Sequence, residues 1–477
     1  MALIQIYFRK VNPILPIVDE VDFRHSLAQE TASRMLIQAV CPVACKYNVA
    51  KVHCRVSGEE EVSQPREFAQ RLFAALTTGL SIKLERERIT LIQILTLLSL
   101  HVEGPDGGEE ASIHLTEAIH HAVTIGLHLD RSRDDHQGSD FLKRLFCCLW
   151  SLDKLNAGVN GRPVLLHDRD IGRELHSFIK MQTDVFGVWT HIADLLGVVI
   201  SLYRPSADSS VTGLEEDFPS FEEIVENRTA NAVDPDTATV EIFYHAVAIL
   251  SCRSKSFGNT FRSTPSSVRQ SLSAVRIMTI AGTEFRQVLS PLPVVPYALS
   301  LSMSVAYRQW RQSNTRTFRR RARDQFELGC ALLQELSSLF WSAEAMAKLG
   351  QHTLAEVEKA HRSTRGDSTM DQTRRTHQHR ETGRAPASDV QAVISSDGHI
   401  ASLGISQDTL SRHGDLPSAG IYSGVTNMDY LDSLHQGFED LDALFGSQLD
   451  LSFPINYGNL LALDDNETPI QYPVVNI

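Results

Sequence analysis

Apolar side chains recur at three- and four-residue steps along most of this chain, and that period limits its fold more than any other feature. Leu115, Ala118, Ile119, Ala122 and Val123 put a one-sided stripe on a helix. A second stripe, Leu142, Leu145, Phe146, Leu149, Leu152 and Leu155, comes after the polar loop 131–138. Residues 89–101 are apolar almost all round (Ile92, Ile94, Leu95, Leu97, Leu98), the pattern of a helix buried on most sides. A Gly-Pro-Asp-Gly-Gly turn at 104–108 precedes the first stripe, and Gly126 sits at its tail, where a C-cap is expected. Further helices are predicted near 185–203, 239–256, 266–289, 295–312 and 318–359, with loops around 205–238 and 258–265. Alternating β-branched runs are scarce and no internal repeat is present. The pattern predicts an all-α body over about residues 1–360.

Beyond that body, charge and composition separate two further segments. The 477 residues carry a formal net charge of −13, distributed unevenly. Residues 361–427 balance their charges, are rich in Arg, Thr, Ser, Gln, His and Gly, and read as a disordered polar linker. Residues 428–477 contain no Lys or Arg and are acidic, with Leu, Phe and Tyr interleaved. No segment has the lasting surplus of Lys and Arg that displaces counterions from phosphates, so the chain as written is a poor nucleic-acid binder. No apolar run approaches the roughly 20 residues that span a bilayer. The opening MALIQIYFRK lacks a signal peptide's basic n-region and cleavage site, so the sequons at Asn227 and Asn466 are not expected to matter. Seven cysteines without an even, close framework suit a reducing compartment.

Catalytic and metal-binding patterns are missing. There is no phosphate-binding Gly-x4-Gly-Lys-Ser/Thr loop, no Gly-x-Gly-x-x-Gly, no Gly-x-Ser-x-Gly and no His-Glu-x-x-His. The acidic clusters starting at Asp134 and Asp464 both lack the final carboxylate of a magnesium-holding Asp-Asp-x-x-Asp. His121 and His128 are two turns apart, too far for adjacent-turn chelation. Cys41, Cys45 and Cys54 are better explained as small apolar packing residues than as zinc ligands. No catalytic, cofactor-binding or metal-binding residue is therefore assigned. Five arginines between Arg316 and Arg323 read as the solvated start of a helix pairing with Asp324 and Glu327, or as a nuclear-import signal.

The order of several segments resembles the fungal-specific transcription factor (middle homology) domain of zinc-cluster regulators of the acetamidase, cutinase and xylanase type. The likeness is carried by residues 7–27 (YFRKVNPILPIVDEVDFRHSL), 33–48, 91–101 and 122–130 (AVTIGLHLD). It continues through Lys143-Arg144-Leu145-Phe146, then Leu149-Trp150-Ser151-Leu152-Asp153-Lys154, then Gly161-Arg162-Pro163 with residues 168–170, and finally 331–349. It spans roughly residues 5–350. Lys143 and Lys154 stand where the family commonly has Arg, and Phe146-Cys147 where it has aromatic pairs.

The resemblance implies a nuclear transcription regulator of a fungal metabolic or secondary-metabolite gene set, an activator and not an enzyme. It implies contacts with the transcription machinery or a co-activator, and a homodimer or heterodimer. Members usually begin with a six-cysteine cluster holding two zinc ions, which this chain lacks. DNA binding is thus expected only through a missing or partner-supplied module, and zinc only with it. Two other readings stay open: a helical ligand-binding or protein-interaction co-regulator without DNA binding of its own, and an all-α enzyme with an unrecognised site.

Two groups of residues receive roles. Arg162 is expected to pair with a carboxylate such as Asp153 or Asp170, fixing the Gly-Arg-Pro loop through bidentate hydrogen bonds. In the tail, Leu431, Leu434, Phe438, Leu441, Leu444 and Phe445 recur at helical spacing among Asp429, Asp432, Glu439, Asp440 and Asp442. This is the acidic–hydrophobic pattern of an activation segment that folds on a partner. The same pattern also describes a C-terminal helix packed on the chain's own core.

Overall fold

The computed structural model describes residues 1–55, 62–129, 139–208, 210–215, 217–226, 235–253, 264–286, 288–378 and 438–451. Among them the architecture is all-α, with seventeen α-helices and one isolated antiparallel bridge, Gly213 to Cys252. In chain order the helices are α1 (Ala2–Lys10), α2 (Glu20–Ala28), α3 (Arg34–Ala39), α4 (Cys41–Ala44), α5 (Pro65–Ser81) and α6 (Arg88–Leu98). Next come α7 (Gly107–Thr124), α8 (Ser139–Asn160), α9 (Arg173–Met181), α10 (Val185–Ser201), α11 (Phe221–Val225) and α12 (Pro235–Leu250). The last are α13 (Pro265–Thr279), α14 (Val294–Gln312), α15 (Arg316–Leu336), α16 (Trp341–Gln378) and α17 (Glu439–Ser447).

The described residues divide between two compact units, one within Met1–Thr353 and Asp440–Ile477, the other within Leu354–Glu439. The first unit is a run of packed helices. α6 lies on α7, α7 on α8, α8 on α10, α10 on α12, and α12 on α13 and α14, with α15 along α14.

Local chemistry sets the helix ends. The Glu87 carboxylate caps α6 by accepting from the Ile89 and Thr90 amides. Gly126, at φ +74°, ends α7 with the paired bonds of a Schellman motif: Leu127 N–H to Ala122 O and Gly126 N–H to Val123 O, both 3.0 Å. Like α6, buried on every side from Ile92 through Leu98, two longer helices are buried all round instead of on one stripe. Every side chain from Leu145 through Leu155 of α8 is buried, and so is every one from Val294 through Tyr307 of α14. In α14, Ser300, Ser302 and Ser304 donate to the carbonyls four residues back at 2.8–2.9 Å, so their hydroxyls enter the core already paired.

Three features differ from what the periodicity predicts. A short helix, α11, lies in the expected loop 205–238; Ser220 and Glu223 form a capping box there. The helix expected over 266–289 stops at Thr279 and closes with a π-turn, Ile280–Glu284. The one expected over 318–359 breaks between Leu336 and Trp341. Arg66 takes the Ser337 carbonyl at 3.3 Å while bonding Glu103 at 2.6 Å and Glu344 at 2.5 Å, and buried Phe340 fills the corner.

Gly126→Ala isolates the backbone cost of the α7 terminus, since an added Cβ has room, with nothing nearer than 3.8 Å. The left-handed conformation alone is expected to lower unfolding free energy by about 1 kcal/mol. An unchanged urea midpoint would count against the cap's contribution.

Candidate functional site

The residues 149–154 that carried the family resemblance lie at the centre of the buried stretch of α8, and each polar member has a dedicated partner. The Trp150 indole donates to Asp168 Oδ1 at 2.8 Å. Ser151 Oγ accepts from the Trp189 indole of α10 at 3.0 Å. Lys154, 3% exposed, reaches Asp168 at 3.2 Å and Asp194 at 3.7 Å, with its ammonium 4.2 Å from the Trp150 ring centroid. It passes so close to α10 that a Cβ at Gly197 would lie 2.7 Å from its Nζ. Burial alone would raise the Asp168 pKa, but the Trp150 hydrogen bond and the Lys154 charge outweigh it and hold that carboxyl below its usual range.

Asp153, 1% exposed, accepts from the Leu165 and Leu166 amides at 2.9 and 2.8 Å through one oxygen. Its other oxygen is buried without a hydrogen bond among the described residues. Burial pushes its pKa up to about 6, against the opposing pull of the two amides and of Lys154. The loop after α8 is therefore held by a carboxylate gripping backbone. The expected Arg162 pair takes another form: no ion pair joins Arg162 to Asp153 or Asp170, and the Arg162 Nε is buried without a hydrogen-bond partner among the described residues. Asp170 has its own neighbour Arg169 at 3.9 Å, and Gly161 turns the chain at φ +59°. Sequence reasoning named Asp153 but gave it a side-chain partner. A buried acid two turns from a loop fits backbone amides equally well, and spacing does not separate the two.

The tail residues divide. Leu431 and Leu434 lie outside the described residues. Phe438 and Leu441 are buried, Leu444 is half-buried, and Phe445 has no exposed surface. Within the first unit the Phe445 ring stacks on Tyr307 of α14, centroids 4.3 Å apart, and meets Phe326 of α15 edge-on at 5.6 Å. Asp442 accepts from the Tyr307 hydroxyl at 2.7 Å and from Arg311 Nε at 3.1 Å. This Arg311–Asp442 pair is largely withdrawn from water, its side chains 9% and 15% exposed. Leu449 and Leu451 are buried beyond it. For residues 440–451 the structure thus takes the packed arrangement, with the apolar anchors turned inward. Tyr307, Arg311 and Phe326, which receive this helix, carry no sequence pattern that marks them as a groove.

The basic run behaves as a helix start. Thr315 caps α15, Arg323 pairs with Glu327 at 2.7 Å, and Phe318 is exposed. The Cys41, Cys45 and Cys54 thiols donate to the carbonyls of Ile37, Pro42 and Ala50 at 3.2–3.4 Å, the last two of these cysteines being fully buried.

A clamped α8, a pinned loop after it and a tail helix seated on α14 and α15 belong to one all-α body. Residues 4–189 match the model of the fungal specific transcription factor domain. A curated relative, the acetamidase regulatory protein of Aspergillus fumigatus, is 29% identical over 179 residues, which make up 35% of this chain and 22% of that protein. The chain thus matches about a fifth of the length of that relative. No solved structure matches. The matched span runs from α1 into the second turn of α10 and includes α8 with all its clamps except Asp194 and Gly197.

Two outcomes test this arrangement. Asp153→Ala orphans two amides and is expected to cost about 2–4 kcal/mol of stability. Because the folded pKa lies above the unfolded value near 4, the folded chain holds that proton more tightly, and stability should fall as pH rises from about 4 to about 6. The substitution should remove that part of the slope; an unaltered pH–stability curve would refute the assignment. Phe445→Ala should raise hydrogen exchange across residues 440–451 while α8 keeps its protection. Equal exchange in both proteins would mean that Phe445 does not hold α17.

Proposed function

We propose that this protein is a nuclear regulator of transcription that controls a fungal metabolic or secondary-metabolite gene set. The observation that supports the reading is the match to the fungal specific transcription factor domain over residues 4–189, strengthened by likeness to a protein named as a regulator. The polar groups of α8 between Trp150 and Lys154 serve structure: each binds a neighbouring helix or loop, which suits a scaffold for contacts with other molecules better than a reaction centre. Contact with DNA is assigned to a zinc-cluster module that is not among these 477 residues or is supplied by a partner. This accords with a net charge of −13 and the absence of a sustained basic segment.

Activation is assigned to residues 428–477, with Leu431, Leu434, Phe438, Leu441, Leu444 and Phe445 as the apolar anchors for a co-activator groove. Leu441 and Phe445 face inward when α17 is docked, so this role requires α17 to leave its seat. A reading as a co-regulator without DNA binding of its own draws on the same charge balance. It differs only in where DNA contact comes from.

Tethering distinguishes these roles. The full chain, and separately residues 425–477, would be fused to an unrelated DNA-binding domain upstream of a reporter. The short fusion is expected to activate, and Phe438→Ala with Leu441→Ala to lower that activity several-fold. A silent short fusion removes the activation segment. Silence of both fusions, together with unchanged transcript profiles after gene deletion, removes the regulatory reading.

A further inference from the structure

A cavity of about 490 Å³ opens beside the π-turn, between the Lys46–Lys51 segment, the chain just before α14, and the facing sides of α14 and α15. Its volume falls in the range that encloses small organic ligands. The inner wall is apolar: Val295, Leu299 and Leu332 are 2%, 1% and 4% exposed. The charges around it are mostly of one sign. Lys46, Lys51 and Arg286 line it, against the single carboxylate Glu335, and Arg286 already grips Glu335 with two nitrogens.

Lys46 is the informative member. It is 5% exposed, yet its ammonium has no hydrogen-bond or ion-pair partner among the described residues; it lies over the Phe340 ring, 4.3 Å from the centroid, with Cys45 and His101 within reach of its charge. Glu103, the acid whose charge reaches it, is engaged by Arg66, whose own charge offsets the attraction. Burial therefore pushes the Lys46 pKa down to about 8. A buried cation without a counter-ion is costly to keep, and an anion placed in the adjoining cavity would offset that cost. The apolar wall in turn selects what the anion is attached to.

We infer that this cavity is a binding site for a small amphipathic carboxylate, its acid group paired with Lys46 and its hydrocarbon body against Val295, Leu299 and Leu332. Lys51 and Arg286, both exposed, add attraction for the anion at the surface. A cationic or neutral chain of equal length gains the apolar contacts and leaves Lys46 unpaired. The site thus discriminates by head-group charge. The inference does not depend on the regulatory reading: its test is binding to the purified chain, and reporter activity plays no part in it.

Calorimetric titration of the full chain with octanoate, octanol and octylamine provides that test. Octanoate is expected to bind, octanol more weakly and octylamine weakest. Lys46→Met should weaken octanoate by about 10- to 100-fold, the loss of one charge-assisted contact, and leave octanol unchanged. Leu299→Trp, which fills the apolar wall, should abolish binding of both while the helical circular dichroism stays native. No octanoate binding, equal binding of all three compounds, or wild-type affinity in the Leu299→Trp variant would each overturn the site. If Lys46→Met does not fold, the Leu299→Trp result and the head-group series decide alone.

Discussion

The grip of Asp153 on the Leu165 and Leu166 amides is the interaction on which the first half of the structure depends. A carboxylate this deeply buried is expensive unless its lone pairs are met, and here two backbone donors meet one oxygen. Those bonds fix the path of the loop after α8, and that path presents Asp168 to Trp150 and Lys154. Lys154 in turn lies against α10 at Gly197, where its ammonium fits because no Cβ intervenes. A single buried acid thereby sets the loop, the loop sets a second acid, and the second acid orients the cation that packs α8 on α10. The connection is one of geometry, each step bringing the next partner within reach.

The recognisable domain and the structural body do not share a boundary. The family match ends at Trp189, within α10, while the compact unit continues to Thr353 and takes in α17. Trp189 itself shows why the two cannot be separated there. Its indole donates back to Ser151 of α8, and its ring lies against Phe243 of α12, 4.5 Å between centroids. Helices beyond the match supply the far wall of the core, and α14, buried along most of its length, is central to that second half. The serines of α14 keep the helix thin enough for close neighbours, at no cost in unpaired hydroxyls because each bonds within its own backbone.

Much of this fold is legible in the sequence because periodicity and end signals are local. The burial of α6, the stripe of α7 and its termination at Gly126 arise from residues within one or two turns of each other. The capping box of α11 is equally local, with Ser220 and Glu223 at the right spacing; the five-residue length of that helix hides it among polar neighbours. What cannot be read depends on distant chain. The break after Leu336 exists because Arg66, some 270 residues away, claims the Ser337 carbonyl. The partner of Asp153 is backbone, which has no sequence signature. Lys46 looks like any surface lysine until Phe340 is placed over it.

The tail shows the same limit in sharper form. A nine-residue helix is marginal alone in water, so the order of α17 comes from its seat. That seat selects the features that suggest a partner-binding segment: an aromatic anchor at Phe445, an aliphatic one at Leu441 and an acid between them at Asp442. A groove within the chain and a groove on another molecule make the same demands of an amphipathic acidic helix, so sequence alone does not tell them apart. The distinction lies in Arg311 and Tyr307, which the docked helix supplies with a carboxylate inside a nearly dry contact. Any molecule that draws α17 away must replace the aromatic stack and also leave Arg311 without Asp442. Separating such a pair costs about 3–5 kcal/mol when fully buried and less at this partial exposure. An activating contact through these residues therefore has to exceed that sum before it shifts the population, and a weak encounter with Leu441 and Phe445 leaves α17 where it is.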